Sequence, residues 1–486
     1  MPLTPLNKII NMRKLKILLF TVFTISFINQ ANSQSVWNLE QCINYALLHN
    51  LDIQQNELQL DMQENNLLSS KARMLPTLNA NGNDIVNWGK TVDRYTNQFA
   101  DSRTISMNLY LQSSVTLFSG FKLLNTVKKN KLMLMSQKYD LNYMKDLKAM
   151  DITTAFLQIL YDKENFKNKK EQVKLTKMQL DRTQKLVEAG SLAKGDLYNI
   201  KSQLASEMAM EIDAENSLNL SMLKLKQLMY VPSDTNIDIY APEIELTENF
   251  NNLLDPYKVY EYALHNRPEI KSAEIKVESS KKDLSIAKGG ISPVISLSAG
   301  LGSGYSGANS ILDGSPSFTG FTPSGDFTTA GDTVITPTFD YKTKPKAMSD
   351  QLIDNKNYSI GIYVSIPLFN GLQTHTNINN SEIAMKQAEL QLEQTKTNMR
   401  QIIEKAYADA RSAFKKYESA GLQVEALNEA FNYATSRYEA KMLAAFEYND
   451  AKIKLDMAKS DLLNAKFNYV FRVKVLDFYY GKPLSL

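Results

Sequence analysis

Cysteine is almost absent from this chain: Cys42 is alone among 486 residues, and the three histidines, His49, His265 and His375, stand far apart. An internal disulfide framework is therefore excluded, and so is a zinc site built from clustered cysteine and histidine. Excess charge of either sign is also missing, with 55 Lys+Arg against 52 Asp+Glu. No global field favours nucleic acid or an anionic membrane surface, so neither is expected as a partner on that ground. Beyond the N-terminus there is no apolar run of about 20 residues, the length a helix needs to cross a bilayer.

What is present begins at Met12. The stretch "MRKLKILLFTVFTISFINQANSQ" sets Arg13, Lys14 and Lys16 before an apolar core and ends on the small residues Ala31 and Ser33. That order reads as a secretory signal over residues 1–33, with cleavage before Gln34 and with either Met1 or Met12 as the start. Cys42 lies too far beyond the small residues to carry a lipid anchor, so the mature protein is expected to be exported without one.

The rest of the chain is written twice. "YALLHNLDI" (45–53) and "YALHNRPEI" (262–270) align at an offset of 217 residues, which also carries Pro76 onto Pro293. "VTLFSGF" (115–121) and "IPLFNGL" (366–372) align at an offset of 251, which holds through Glu188 and Glu439, Lys201 and Lys452, to Pro232 and Pro483. The change of offset is an insertion in copy two, between Pro293 and Phe369. Copies of about 200 residues exceed any solenoid unit, so two structural repeats are expected, 34–235 and 236–486.

Each copy has the same periodicities in the same order. Ile53, Leu60, Leu67 and Met74 recur every seven residues, as do Ile270, Val277, Leu284 and Ile291, which predicts a helix ending at each proline. After the proline the period drops to two. Ile105, Met107, Leu109 and Leu111 alternate with polar residues, and Ile360, Ile362, Val364 and Ile366 do the same. With weaker candidates just after Pro76 and Pro293, four strands per chain are expected. Heptads then return at Ile152, Ile159, Phe166, Val173, Leu180 and Val187, and at Ile403, Ala410, Tyr417, Val424, Phe431 and Tyr438. A helix over 120–187 would be roughly 100 Å long at 1.5 Å per residue. Each copy thus reads as a long helical hairpin, with a two-stranded ribbon at one end and a turn at "EAGSLAKGD" at the other. In that turn Gly190 suits a left-handed helix end, Ser191 or Asp196 is expected to cap the next helix, and Gly195 to relax the backbone.

A ribbon with one apolar face either packs on the rod or faces lipid in a barrel. Four strands cannot close a barrel, because the smallest have eight, so a barrel would need strands from several chains. The polar stretch 302–357 is expected as a long extracellular loop. Within it, "GLGSGYSG" sets Gly302, Gly304 and Gly307 in a GxGxxG spacing, but no helix pattern follows to hold a pyrophosphate, so nucleotide binding is not expected. The lysine clusters at 128–131 and 167–170 lack interleaved aromatics and read as solvated helix faces. No nucleophile, base and orienting group converge, so neither an enzyme nor a cofactor is expected.

With these residues in order, the chain resembles the TolC-like outer-membrane efflux proteins: the duplicated halves, "YALHNRPEI", the proline-initiated strands, "VTLFSGF" and "IPLFNGL", "EAGSLAKGDLYNIKSQL" and the closing "VLDFYYGKP". The resemblance implies a mainly α fold with a β-barrel portion. Three chains would pool twelve strands into one outer-membrane barrel, continued by a periplasmic α-barrel of paired helices. It implies a passive exit duct of a tripartite efflux pump or type I secretion system, a homotrimer docked through a periplasmic adaptor to an inner-membrane pump and seated in outer-membrane lipid. It places the periplasmic tip at the hairpin turns. There Asp196 matches a gate aspartate and Tyr438 a gating tyrosine, while Glu447 and Asp450 match an acidic ring. Gly190, Leu192, Lys194, Gly195, Lys441 and Leu443 would meet the adaptor. Leu443 departs from the family's best-studied member, which has an arginine in the gate. The alternative is an exported coiled-coil structural or tethering protein.

Overall fold

The computed structural model describes residues 35–100, 103–242, 255–440 and 442–484. The expected export signal, residues 1–33, lies outside them, as does Lys441.

Copy one begins with β1 (Ser35–Trp37), α1 (Leu39–His49) and α2 (Leu51–Ala72). The ribbon follows as β2 (Thr77–Asn87), the short β3 (Thr91–Val92) and β4 (Phe99–Ala100), and β5 (Thr104–Phe118). The hairpin is α3 (Lys122–Glu188) and α4 (Lys194–Met229), and β6 (Ile237–Ile239) follows it at the start of copy two. Copy two repeats the order with α5 (Pro256–Asn266), α6 (Pro268–Lys288) and β7 (Val294–Ser306). Its insertion carries β8 (Ser310–Leu312), β9 (Ser317–Phe327), β10 (Thr333–Asp340), β11 (Thr343–Pro345) and α7 (Met348–Asp354). The copy then ends with β12 (Asn357–Ser365), α8 (Gln373–Glu439) and α9 (Ala445–Tyr479).

The two long helices are both 67 residues, about 100 Å at 1.5 Å per residue, as the heptads require. Their partners, α4 and α9, have 36 and 35 residues. The helix expected before each ribbon is in fact two. In copy one it breaks at Asn50, whose side chain accepts from the N–H groups of Asp52 and Ile53 and so caps α2. In copy two it breaks at Arg267 because Pro268 follows, and a residue before proline is held in the extended region.

The chain folds as two compact units. One unit comprises residues 1–61, 136–274 and 391–486. Its largest core sets Leu39, Cys42 and Ala46 of α1 against Ile152, Phe156 and Ile159 of α3, with Leu225, Met229 and Ile239 completing it. β1 pairs in parallel with β6, joining the start of copy one to the start of copy two. Burial pushes the Cys42 thiol up to about 12, so it serves as an inert apolar group. A second core forms in copy two, where Val259, Ala263 and Ile403, the twins of Cys42, Ala46 and Ile152, cluster with Ile270 and Met399. The second heptad row, irregular in the sequence, is Ala155, Asp162, Lys169, Thr176 and Thr183 on α3. Asp162, Thr176 and Thr183 are buried, so polar side chains stand where an apolar row would be.

The other unit comprises residues 62–135 and 275–390 and holds the four-stranded antiparallel sheet β12-β7-β5-β2. Register fixes its faces. Leu111 lies opposite Ala80 and Leu301, and Ile362 opposite Leu297, while Gln112 lies opposite Asn79 and Gly300. One face is thus apolar and the other polar. Ile360 and Ile362 are 78% and 66% exposed, so the apolar face of β12 is uncovered, against the expectation for a ribbon packed on its rod. The stretch 302–357 is not the loop expected. β7 runs on to Ser306, β9 pairs with β10 and β8 with β11, and the rings of Phe321 and Phe339 pack edge-on against Phe318, the second of them across the β9–β10 pair.

Candidate functional site: the hairpin tip

The first turn closes as expected at Gly190. With φ +71° it ends α3, its N–H donates to the Val187 carbonyl at 3.0 Å, and the Ser191 N–H donates to Leu186 at 2.8 Å. In copy two the Met442 N–H donates to Arg437 at 2.9 Å, the same closure at the twin position. Gly195 differs from its expected role. It sits in the first turn of α4 with an ordinary helical backbone and open space around it, so nothing in the turn demands glycine there.

The capping expectation is also corrected. Ala193 is the N-cap of α4, with no side-chain bond, because the helix already begins at Lys194. Asp196 lies within that first turn, where a carboxylate meets the positive end of the helix dipole. Its twin Glu447, one methylene longer, does reach back: Oε2 accepts from the Ala444 N–H at 3.4 Å. Leu192 and Leu443, also twins, are both half-buried, while Lys194 is exposed.

Tyr438, on the last turn of α8, stacks on Tyr448 of α9 with centroids 4.7 Å apart. Burial raises the Tyr438 hydroxyl above its ordinary pKa, the nearby charge of Asp196 raises it further, and Arg182 opposes both. The tip therefore brings Asp196 and Tyr438 together from different copies. Asp450 is engaged elsewhere, pairing with Lys454 at 2.7 Å on the surface of α9.

Two features were not anticipated. Arg182 of α3 reaches Glu439, the residue after Tyr438, at 4.0 Å, and its charge opposes the rise of the Tyr438 hydroxyl pKa. Behind the tip, Lys452 Nζ donates to Thr176 Oγ1 and lies 3.4 Å from Glu207 Oε1, which also accepts from Gln203 at 2.9 Å. Lys452 and Glu207 are buried, and Glu207, Gln203, Asn449 and Asp456 line a cavity of about 320 Å³. Burial raises the Asp456 carboxyl above its usual range, against Gln172, Lys452 and Lys459. Heptads gave one signal for Thr176, as a second-row position; nothing local marked Glu207.

A sheet with one uncovered apolar face, in a chain whose helical hairpins run about 100 Å, defines a membrane channel with a helical extension. The sequence profile of the outer membrane efflux protein family matches residues 42–229 and 259–482, and the chain belongs to that family. It is 21% identical to the outer membrane protein TolC of Escherichia coli (strain K12) over 445 residues, 89% of this chain and 80% of the relative. Among solved structures it is similar to the CusC channel, with TM-score 0.72, 15% identity and 92% of each chain covered. VceC of Vibrio cholerae is similar too, with TM-score 0.72, 16% identity and 92% and 96% covered. The protein is an outer-membrane efflux channel, a TolC-like fold of helical barrel and β-barrel that extends into the periplasm.

Proposed function

We propose that three copies of this chain form one passive exit duct, gated at the hairpin tips and docked through a periplasmic adaptor to an inner-membrane pump, serving tripartite efflux or type I secretion. The observation that carries this is the four-stranded sheet. Its edge strands, β2 and β12, run in opposite directions, so β12 of one chain can pair antiparallel with β2 of the next. Two chains would make eight strands, a barrel whose interior side chains fill. Three make twelve, which leaves a lumen.

At the tip, Asp196 with Tyr438 supports a closing contact, and threefold repetition of Glu447 and Asp450 would place acidic rings that favour cations. Gly190, Leu192, Lys194, Gly195 and Leu443 lie on the turns an adaptor would meet, and Lys441, outside the described residues, is assigned to the same contact by its place in the sequence. The test is the purified protein in planar bilayers. A trimer that conducts, is blocked by hexaamminecobalt(III) from the helical side, and loses most of that block in Glu447→Ala/Asp450→Ala supports the reading. A water-soluble monomer or dimer without conductance refutes it and favours a tethering protein.

A further inference from the structure

The connection from β2 to β5, described over residues 88–100 and 103, lies at the end of the sheet away from the helices, since β2 follows α2 and β5 precedes α3. It does not simply loop outward. Tyr95 donates its hydroxyl to Asn108 Oδ1 at 2.6 Å, and Arg94 Nη1 donates to the Tyr110 hydroxyl at 2.7 Å. Asn108 lies opposite Asn83 and Gly304, and Tyr110 opposite Asn81 and Gly302, so both anchors belong to the polar face of the sheet. If the apolar face meets lipid, this face lines the lumen.

Three further observations fix the connection there. Asp93 accepts from Ser306 Oγ, from the Tyr95 N–H at 3.0 Å and from the Thr96 N–H at 2.8 Å. Asp93 and Ser306 are both buried. A Cβ at position 304 would overlap the Tyr95 hydroxyl, and one at 302 would crowd the Tyr110 ring. The Gly302 and Gly304 spacing thus clears a bed for two tyrosines. By sequence the connection carries Lys90, Arg94 and Arg103 against Asp93 and Asp101; the Asp93 carboxylate keeps its charge but is buried against Ser306 and two backbone N–H groups, whereas Arg94 is exposed.

We propose that residues 93–97 fold into the lumen as a cationic constriction at the outer mouth, where Arg94 from each chain binds multivalent anions. This rests on the trimeric duct reading. A basic ring on the sheet and acidic rings at the tips would give the duct two charged sites of opposite sign. Attraction between a ring of guanidinium groups and a multivalent anion grows with the anion's charge.

Hexacyanoferrate(III) added to the barrel side of a bilayer holding the conducting trimer is the probe. Block of the wild-type channel is expected, and block at least tenfold weaker in Arg94→Gln. Tyr95→Phe, which keeps the charge and removes one anchor, is expected to weaken block and raise conductance. If Arg94→Gln does not assemble, Tyr110→Phe, which removes the hydroxyl Arg94 donates to, replaces it with the same expectation. A conducting wild-type trimer that the anion does not block, or a block indifferent to these substitutions, overturns the constriction alone. A trimer without conductance overturns the duct reading and this one with it.

Discussion

The ring of Tyr438 lies stacked on that of Tyr448, centroids 4.7 Å and planes 20° apart, and so ties the end of α8 to the start of α9. The charges of Asp196, on the other hairpin, and of Arg182, on α3, both reach the Tyr438 hydroxyl. One side chain therefore couples the two copies at the tip. Tyr438→Ala removes both the stack and the hydroxyl, whereas Tyr438→Phe removes the hydroxyl alone. Resting conductance is expected to rise several-fold in Tyr438→Ala and in Asp196→Ala and less in Tyr438→Phe. Equal conductance in all three would exclude Tyr438 from the closing contact.

Lys452 is buried against Glu207. Removing the amine leaves a buried carboxylate uncompensated, which costs about 3 kcal/mol. Lys452→Met is expected to lower the midpoint of thermal unfolding, and adding Glu207→Leu to recover most of the loss. A double variant no better than the single one would show that the pair is not coupled.

Ile362 stands on the apolar face of β12, and Ser298 on the polar face of β7. An arginine facing lipid near the bilayer centre costs about 2–4 kcal/mol in a β-barrel, while lumen positions tolerate charge. Ile362→Arg should therefore reduce recovery of assembled protein from outer membranes, and Ser298→Arg should not. The opposite ranking would reverse the assignment of faces.

Asp456 has its folded-state pKa raised by burial. A raised carboxyl pKa means that the folded state favours the protonated form. The stability it contributes is full below the ordinary carboxylate pKa and is lost as pH rises through the folded value. At pH 7 the charge is a net burden, so Asp456→Asn is expected to raise the unfolding midpoint there. Its advantage should shrink as pH falls toward about 4, the ordinary carboxylate pKa, and be gone below it. A variant less stable at pH 7 would show that Lys452 and Gln172 outweigh the burial.

The hairpins, the two copies and the strand faces were legible because each rests on spacing along the chain. A seven-residue period places Ile152 and Ile159 on one side of a helix, and a two-residue period places Leu109 and Leu111 on one face of a strand, whatever their surroundings. Breaks at Asn50 and Arg267 escaped because the heptad at Ile53 and Ile270 runs close to them; a capping side chain and a proline decided the matter locally. The β pattern within 302–357 escaped because loop-like composition outweighed short alternations.

Lys201 and Lys452 mark the boundary. They are twins in the repeat, yet Lys201 is exposed beside Tyr198 whereas Lys452 is buried between Thr176 and Glu207. The sequence by itself determined the repeated architecture, since periodicity is a property of neighbours along the chain. Only the tertiary structure decided which twin became a buried cation, which arginine's charge reaches Tyr438, and that Tyr95 turns back over Gly304. Those outcomes depend on residues tens to hundreds of positions apart, whose meeting is set by packing rather than by local pattern.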